Sequence, residues 1–283
     1  MVLSEASALD LSAHIRGLTE DEIATFRRDG WVHARNFISR DLCDQVIDHF
    51  TAWTGLTREW PTDPAAQREF TAAIEKFLSR PKRGFAIRQE DPWMFNFVMQ
   101  RKFGEAAARF MNVPSIKVLS ETLHVKYPVS SGHSKPLAWH QDFPSMPIDR
   151  AEAMQMWLAL VPMTPDMGPM VHLTGSHRTM PGGMLADSGM QEHEDARELY
   201  PDLFESYETS TPATYAAGDA VFHHSLTWHA SGVNKTDRMR WAMSSVRFSG
   251  RARYTGQANV NTDGLGLTPR AHFDHPNFPT VYP

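Results

Sequence analysis

The chain changes character near Pro114, and this change restricts the available folds more than any other feature of the sequence. Beyond it, extended-looking segments alternate with turn-rich stretches. The segments read SIKVLSETLHVKYP, AEAMQMWLALVPM, TYAAGDAVFHHSLTWHASG and RMRWAMSSVRFSG. Short extended segments separated by Gly, Pro and Ser clusters are typical of β-sandwiches and β-barrels. We therefore expect residues 114–250 to form a β-rich body.

Residues 1–113 show helical periodicity instead. Thr19 and Glu22 are spaced as a capping box before EDEIATFRRDG, Gly30 is placed to end that helix, and Ser39 can cap the next one. Apolar spacing predicts helices in RDLCDQVIDHFTAWTG, PAAQREFTAAIEKFL and PWMFNFVMQRKFGEAAARFMN, and alternation predicts a strand in WVHARNFI. The sequence thus predicts a mostly helical layer ahead of the β-rich body.

We expect a single catalytic domain, 1–283, since this length suits one large β-sandwich or β-barrel enzyme. Residues 251–283 are rich in Pro, Asn and Gly, which predicts an irregular tail that wraps the body or covers a site. Two further stretches each leave two interpretations open. PGGMLADSG, residues 181–189, is either a lid or a plain connection. PKRGFAIRQED, residues 81–91, is either a solvated basic loop or a contact for an anionic substrate.

Charge and cysteine content exclude several classes of protein. The net charge is −5 with no basic stripe, so we expect no nucleic-acid partner. Cys43 is the only cysteine, so no intrachain disulfide can form. The N-terminal MVLSEASALDLSAHIRG lacks the apolar core of a signal peptide, and no apolar run predicts a membrane span. We expect a cytoplasmic protein that acts on a small molecule; the sequence does not specify its oligomeric state.

A candidate metal site begins in LAWHQDFPSMP. His140 and Asp142 are two residues apart, so on a strand both side chains point to the same face and Gln141 points away. Taken alone, the pair is weak evidence for a metal site, and a polar strand end is the simpler interpretation. A third ligand is needed to make it a metal site.

The third ligand is best sought in GDAVFHHSLTWHASGVNKTDRMRWAMS. If this stretch is one strand, His223, His229 and Ser231 share its polar face. GVNKTD then predicts a hairpin loop, and a hairpin centred there sets His229 opposite Arg240. Of these histidines, His229 is the candidate third ligand, because it alone has both Ser at +2 and Arg at +11. His223 shares the same face and is expected to line the cavity.

These residue types have a shared chemical use. Two histidines and one carboxylate form the facial triad of non-haem Fe(II) oxygenases, which leaves three coordination positions open. A 2-oxo acid can chelate through two of them and O2 can take the third. Arg240 suits the distal carboxylate of 2-oxoglutarate, and the Ser231 hydroxyl can add a hydrogen bond. A zinc hydrolase or a non-catalytic metal-binding β-sandwich also explains the ligands, but gives Arg240 no role.

The sequence resembles the phytanoyl-CoA dioxygenase family of Fe(II)/2-oxoglutarate-dependent oxygenases. The resemblance runs from about Ser115 to Phe248, and more weakly from Leu18 to Ile38. Its motifs are WHQD, WLAL followed by MGPMVHLTGSHR, and GDAVFHHSLTWHASGVNKTDRMR. The implied fold is a double-stranded β-helix, a jelly roll of the cupin type, with helices packed on one sheet.

The resemblance also implies roles for individual residues. It makes His140, Asp142 and His229 the iron ligands, and Ser231 and Arg240 the partners of the distal carboxylate. The family places an aromatic residue at the position of Trp157, in the 2-oxoglutarate pocket. A carboxylate at Asp142 favours oxygenation, because related halogenases have a small residue there.

Two other residues lie on the strand that precedes this motif. Thr122 is a candidate contact for 2-oxoglutarate, and Lys126 is expected to cap the strand end. The predicted activity is hydroxylation of an unactivated C–H bond with succinate and CO2 as co-products. Desaturation, epoxidation and ring rearrangement at the same iron site remain alternatives.

Overall fold

The computed structural model describes residues 9–78, 87–179 and 196–283, apart from the side chains of Ile74, Phe77 and Leu78. Within this part the helices are α1 (Glu20–Asp29), α2 (Arg40–Thr54), α3 (Pro64–Leu78), α4 (Pro92–Val98), α5 (Arg101–Met111), α6 (Ala196–Leu199) and α7 (Pro201–Ser206). The strands are β1 (Trp31–Ala34), β2 (Ile116–Lys126), β3 (Leu137–His140), β4 (Ala153–Ala159), β5 (Met170–His172), β6 (Ala220–His224), β7 (His229–Ser231), β8 (Arg240–Ser249) and β9 (Thr280–Tyr282). None of these helices is long and apolar enough to cross a membrane.

The strands form two antiparallel sheets. The major sheet has the order β1-β6-β4-β8-β2-β9, and the minor sheet has the order β3-β7-β5. Side chains from both sheets line one cavity between them. Two antiparallel sheets that enclose a cavity are the arrangement expected of a double-stranded β-helix.

Alternation along β4 separates the helical side of the major sheet from the cavity side. Met154, Met156 and Leu158 belong to the core beneath the helices. Gln155 and Trp157 point the other way and line the cavity. The helical layer therefore leaves the opposite face of the sheet free for polar side chains.

The helix caps predicted in the first 113 residues are present. Thr19 accepts a hydrogen bond from the Glu22 amide at 3.1 Å, and the Glu22 carboxylate accepts one from the Thr19 amide at 2.9 Å. Gly30 ends α1 in the left-handed conformation, with φ of 79°. Ser39 accepts from the Leu42 amide at the start of α2. These local signals were sufficient because a cap is made within one turn of helix.

The helix predicted over PWMFNFVMQRKFGEAAARFMN is two helices. α4 ends at Val98 and α5 begins at Arg101, with Gln100 in a non-helical conformation (ψ 124°). The side-chain nitrogen of Gln100 donates to the Leu9 carbonyl at 2.8 Å, and its side-chain oxygen accepts from the backbone amide of Leu11 at 3.1 Å. Gln100 thus holds the N-terminal segment, a long-range contact that helical periodicity does not reveal.

The predicted hairpin between His229 and Arg240 is wrong. The expected single strand breaks after His224, and β7 pairs with β3 and β5 of the minor sheet. Arg240 begins β8 in the major sheet, where Lys126 is its pairing partner. Since β7 has a strand on both sides, it has no free edge for β8, and residues 232–239 cross between the sheets.

The C-terminal tail both wraps the body and contributes to the cavity wall. It contains the short strand β9, which was not predicted, at the edge of the major sheet beside β2. Asn259 and Asn261 line the cavity, and the Asn259 amide donates to the Ser145 carbonyl at 2.7 Å. The predictions for residues 181–189 and for 81–86 of the basic loop lie outside the described residues.

Candidate metal centre

Three potential metal ligands converge where β3 and β7 meet. His140 ends β3 and His229 begins β7, and the two are direct pairing partners. Asp142 follows two residues after His140, at the start of a short 3₁₀ turn. One ligand atom from each of the three side chains lies within 4.8 Å of the other two. Asp142 Oδ1 is 3.6 Å from His140 Nε2 and 3.8 Å from His229 Nε2.

The two imidazoles are oriented for ligation through Nε2. His140 Nδ1 is 2.8 Å from the Ala138 carbonyl, and His229 Nδ1 is 3.0 Å from the Thr227 carbonyl. A carbonyl can only accept, so each Nδ1 carries a proton, and in the neutral form of each ring Nε2 has the lone pair that a metal would bind. Two neutral imidazole nitrogens and one carboxylate fit the donor set of a non-haem Fe(II) site.

The charge states also suit a metal. Burial and the imidazoles of His140 and His223 hold the pKa of His229 well below its usual value, so the ring is neutral. Burial opposes the charge of Asp142, but His229, His140 and His223 outweigh it. Together they hold the pKa of the Asp142 carboxyl well below its usual range. The site therefore offers a carboxylate together with a neutral His229.

Arg240 lies in the same cavity, which has a volume of about 540 Å³. It is 2% exposed, its Nη2 donates to the Gly168 carbonyl at 3.0 Å, and its Nε has no hydrogen-bond partner. The guanidinium carbon is 5.1 Å from the centre of the Trp157 ring. Burial lowers the pKa of Arg240 to about 10, which leaves it charged at neutral pH. No carboxylate within the described ranges forms an ion pair with it.

Gly168 allows the carbonyl contact to Arg240. It has φ of 65°, and a side chain there would collide with the backbone of Gly232 and Val233. The Met167-Gly168 turn therefore passes close to the crossing segment that follows β7. This close packing presents the Gly168 carbonyl to Arg240.

Seven residues assigned to the site from the sequence line this one cavity: Thr122, His140, Asp142, Trp157, His229, Ser231 and Arg240. His223, also expected to line it, does not, because its ring is fully buried and contacts Asp142 instead. Ser231 ends β7, Thr122 lies in the middle of β2, and Trp157 lies on β4. Arg240 and His229 thus reach the cavity from opposite sheets rather than from one hairpin. Gln141, expected to point away, donates to the Leu226 carbonyl at 2.7 Å and does not line the cavity.

Sequence reasoning missed several polar residues of the cavity, among them Gln155 and His124. Gln155 and His124 lie two positions from Trp157 and Thr122 on the same strand faces. His124 Nε2 is 2.8 Å from Ser244 Oγ, and burial and Arg240 lower the pKa of His124 to about 3. Strand alternation around the two residues already chosen would have found both.

Lys126 behaves as predicted and caps the end of β2. Its ammonium donates to the Lys135 carbonyl at 3.1 Å and, more closely, to the Gly232 carbonyl. Burial and Arg240 lower the pKa of Lys126 to about 7. It joins the end of the major sheet to the segment that crosses from β7.

The fold and this site together define a non-haem iron oxygenase of the double-stranded β-helix type. The family model described as phytanoyl-CoA dioxygenase (PhyH) matches residues 26–242. The chain belongs to the phytanoyl-CoA dioxygenase family, and it is an Fe(II)/2-oxoglutarate-dependent oxygenase, as predicted. This membership favours oxygenase chemistry over the zinc-hydrolase and non-catalytic alternatives.

Individual comparisons agree with this assignment. The chain is 21% identical to a probable phytanoyl-CoA dioxygenase of Caenorhabditis elegans over 235 residues, 80% of this chain and 74% of that protein. Its fold is similar to the carbocyclase SnoK from nogalamycin biosynthesis, with a TM-score of 0.70 and 21% identity over 93% of this chain and 96% of that one. EctD from Sphingopyxis alaskensis, solved with 2-oxoglutarate and 5-hydroxyectoine, has a TM-score of 0.62 and 18% identity over 87% and 83%. These structures confirm the jelly-roll fold.

Proposed function

We propose that the protein hydroxylates an unactivated C–H bond of a small molecule while converting 2-oxoglutarate to succinate and CO2. In this proposal His140, Asp142 and His229 bind Fe(II). Arg240 and Ser231 bind the distal carboxylate of 2-oxoglutarate. The observation that carries the proposal concerns Arg240. This buried arginine forms no ion pair among the described residues and shares one cavity with two histidines and a carboxylate.

Fe(II), 2-oxoglutarate and O2 supply the oxidising power when bound, and the chain supplies ligation, position and exclusion of water. The Nδ1 hydrogen bonds of His140 and His229 aim both Nε2 lone pairs at one point. Arg240 fixes the far end of the cosubstrate through a charge-assisted contact. Trp157 supports the guanidinium, and Thr122 forms part of the wall on β2.

The outer part of the cavity is the proposed substrate site. It combines apolar side chains, Leu119, Met146 and Val246, with the polar His133 and Asn261. Asp142 is the only carboxylate in the described lining, and it is committed to the metal. We infer an uncharged or anionic substrate, because a cation would find no opposite charge there.

The proposal is tested by measuring succinate formed from 2-oxoglutarate with Fe(II) and O2 across a panel of small molecules. The native protein should form succinate, and His140→Ala and Arg240→Ala should lose it. His272→Ala is a matched control, because His272 is exposed and does not line the cavity. Anaerobic Fe(II) plus 2-oxoglutarate should also give a visible charge-transfer band. Absence of both the succinate and the band in the native protein would reject the proposal.

A second outcome of the same chemistry is ring closure or desaturation. SnoK, whose fold is similar, is described as a carbocyclase, and SnoN, another similar structure, as an epimerase. The mass of the product separates the two outcomes. Hydroxylation adds one oxygen atom, about 16 Da, whereas cyclisation or desaturation removes two hydrogen atoms, about 2 Da. The way the site holds the substrate decides between these outcomes.

A further inference from the structure

The second carboxylate oxygen of Asp142 is held by two residues of the opposite sheet. Gln155 Nε2 donates to Asp142 Oδ2 at 3.0 Å, and His223 Nε2 lies 3.1 Å from the same oxygen. Gln155 on β4 and His223 on β6 are direct pairing partners in the major sheet. Asp142 follows β3 of the minor sheet. The two sheets are therefore joined by hydrogen bonds at the metal centre.

The two oxygens of Asp142 have different surroundings. Oδ1 faces the Nε2 atoms of His140 and His229, at 3.6 and 3.8 Å. Oδ2 faces Gln155 and His223. The carboxylate is thus turned so that one oxygen is directed to the metal position and the other is occupied by hydrogen bonds.

We propose that Gln155 and His223 are positioning residues that keep Asp142 a monodentate ligand. This inference rests on the proposed iron site. A carboxylate can bind a metal through one oxygen or two, and a facial triad leaves three positions open only if each ligand takes one. If Oδ2 also bound, it would occupy a position needed by 2-oxoglutarate or O2. Two hydrogen-bond donors on rigid strands prevent this rotation.

The surroundings of His223 indicate a role at Asp142 rather than in stability. The ring is fully buried, and its Nδ1 has no hydrogen-bond partner in the described structure. Its other neighbours are the rings of His229, at 4.2 Å between centroids, and His172, at 5.5 Å. A buried polar nitrogen without a partner destabilises a fold. The polar contacts recorded for this ring are those to Asp142 and Gln155.

The test uses Co(II), which binds without reacting with O2, and compares matched variants. His223→Phe keeps a buried ring but removes the donor, whereas His223→Gln keeps an N–H near the position of Nε2. Gln155→Met keeps the chain length and removes the donor. His224→Phe is the control, because His224 is the next residue on the same strand, but its ring lies against Phe26 and His177 rather than Asp142.

We expect His223→Phe and Gln155→Met each to weaken Co(II) binding by about 10- to 100-fold. Their Co(II) absorption spectra should indicate altered coordination, and 2-oxoglutarate should bind the Co(II) protein more weakly. His223→Gln should recover most of the affinity and the native spectrum, and His224→Phe should match the native protein.

Native Co(II) affinity and spectra in both His223→Phe and Gln155→Met would overturn this inference and leave the proposed function intact. Failure of the native protein to bind Co(II) and 2-oxoglutarate would instead reject the proposed function. If His223→Phe does not fold, Gln155→Met alone decides. Its partly exposed side chain can be replaced at lower cost, and native behaviour in that variant would be sufficient to reject the inference.

Discussion

Replacement of Arg240 by methionine tests the cosubstrate site most directly. In the ligand-free protein Arg240 is a buried cation with one recorded hydrogen bond, to the Gly168 carbonyl, and an unsatisfied Nε. Replacement by an apolar side chain of similar length removes an uncompensated buried charge. Such changes are often neutral or stabilising. The melting temperature of ligand-free Arg240→Met should therefore equal or exceed that of the native chain.

The effect on 2-oxoglutarate binding should be opposite in sign and large. Loss of one partner of a buried, hydrogen-bonded charge pair costs about 2–5 kcal/mol. At about 1.4 kcal/mol for each factor of ten, this raises the Kd roughly 30- to 4,000-fold. Arg240→Lys keeps the charge but loses the planar fork, so its Kd should fall between those of the native and Met proteins.

The assay is thermal unfolding of the Mn(II)-loaded protein under anaerobic conditions, with and without 2-oxoglutarate. At a ligand concentration about 1,000 times the native Kd, binding stabilises the native protein by about 4 kcal/mol. A 30-fold weaker variant gains only about 2 kcal/mol at that concentration, and weaker ones gain less. Arg238→Met is the control, because Arg238 is exposed and two residues away. If Arg240→Met shows the full ligand-induced shift, Arg240 does not hold the cosubstrate.

Three further predictions address the metal, the buried ion pair and acid sensitivity. Mn(II) should raise the melting temperature of the native protein but not of His229→Ala; an equal rise in both would remove His229 from the ligand set. Arg88→Met should lower the free energy of unfolding in urea by about 3–5 kcal/mol, because it leaves the buried Glu121 carboxylate without its ion-pair partner. Additional replacement of Glu121 by leucine should restore most of this loss, and no recovery would refute the pairing argument. Burial opposes the charge of Asp219, but hydrogen bonds from His33 and from two backbone amides outweigh it and hold the pKa of the carboxyl below its usual value. This contribution is complete above the unfolded pKa of about 4 and is lost as the pH falls through the lower folded value. Asp219→Asn should therefore be less stable than the native chain at pH 7 by about 2 kcal/mol, with a smaller loss of stability on acidification, measured by urea unfolding at several pH values.

Local signals in the sequence were sufficient for much of the fold. The caps at Thr19, Gly30 and Ser39 are each made by residues within a few positions of one another, so spacing alone predicts them. Alternation along β4 likewise separates the apolar residues under the helices from Trp157 in the cavity. Such periodicity reports which face a residue occupies, but not which strand lies beside it.

The misplaced hairpin shows where that information ends. The spacing of His229 and Arg240 suggested direct neighbours across a tight turn. In the structure the two residues belong to different sheets and approach the same cavity from opposite sides. Both residues nevertheless line one cavity, because both side chains point inward. Which strands pair depends on contacts between residues that are distant in the sequence, such as Lys126 on β2 and Arg240 on β8.

The sequence by itself therefore supplied the residue types of the candidate site and their spacing along the chain. The two-residue period of a strand did not fix the orientation of all of them, because Asp142 lies beyond the end of β3, in a 3₁₀ turn. Only the tertiary structure placed His140 beside His229 and set Arg240 across the cavity from them. It alone brought Gln155 and His223 to the second oxygen of Asp142. These contacts join strands separated by many residues, and close packing of the two sheets, rather than any local pattern, decides which side chains meet.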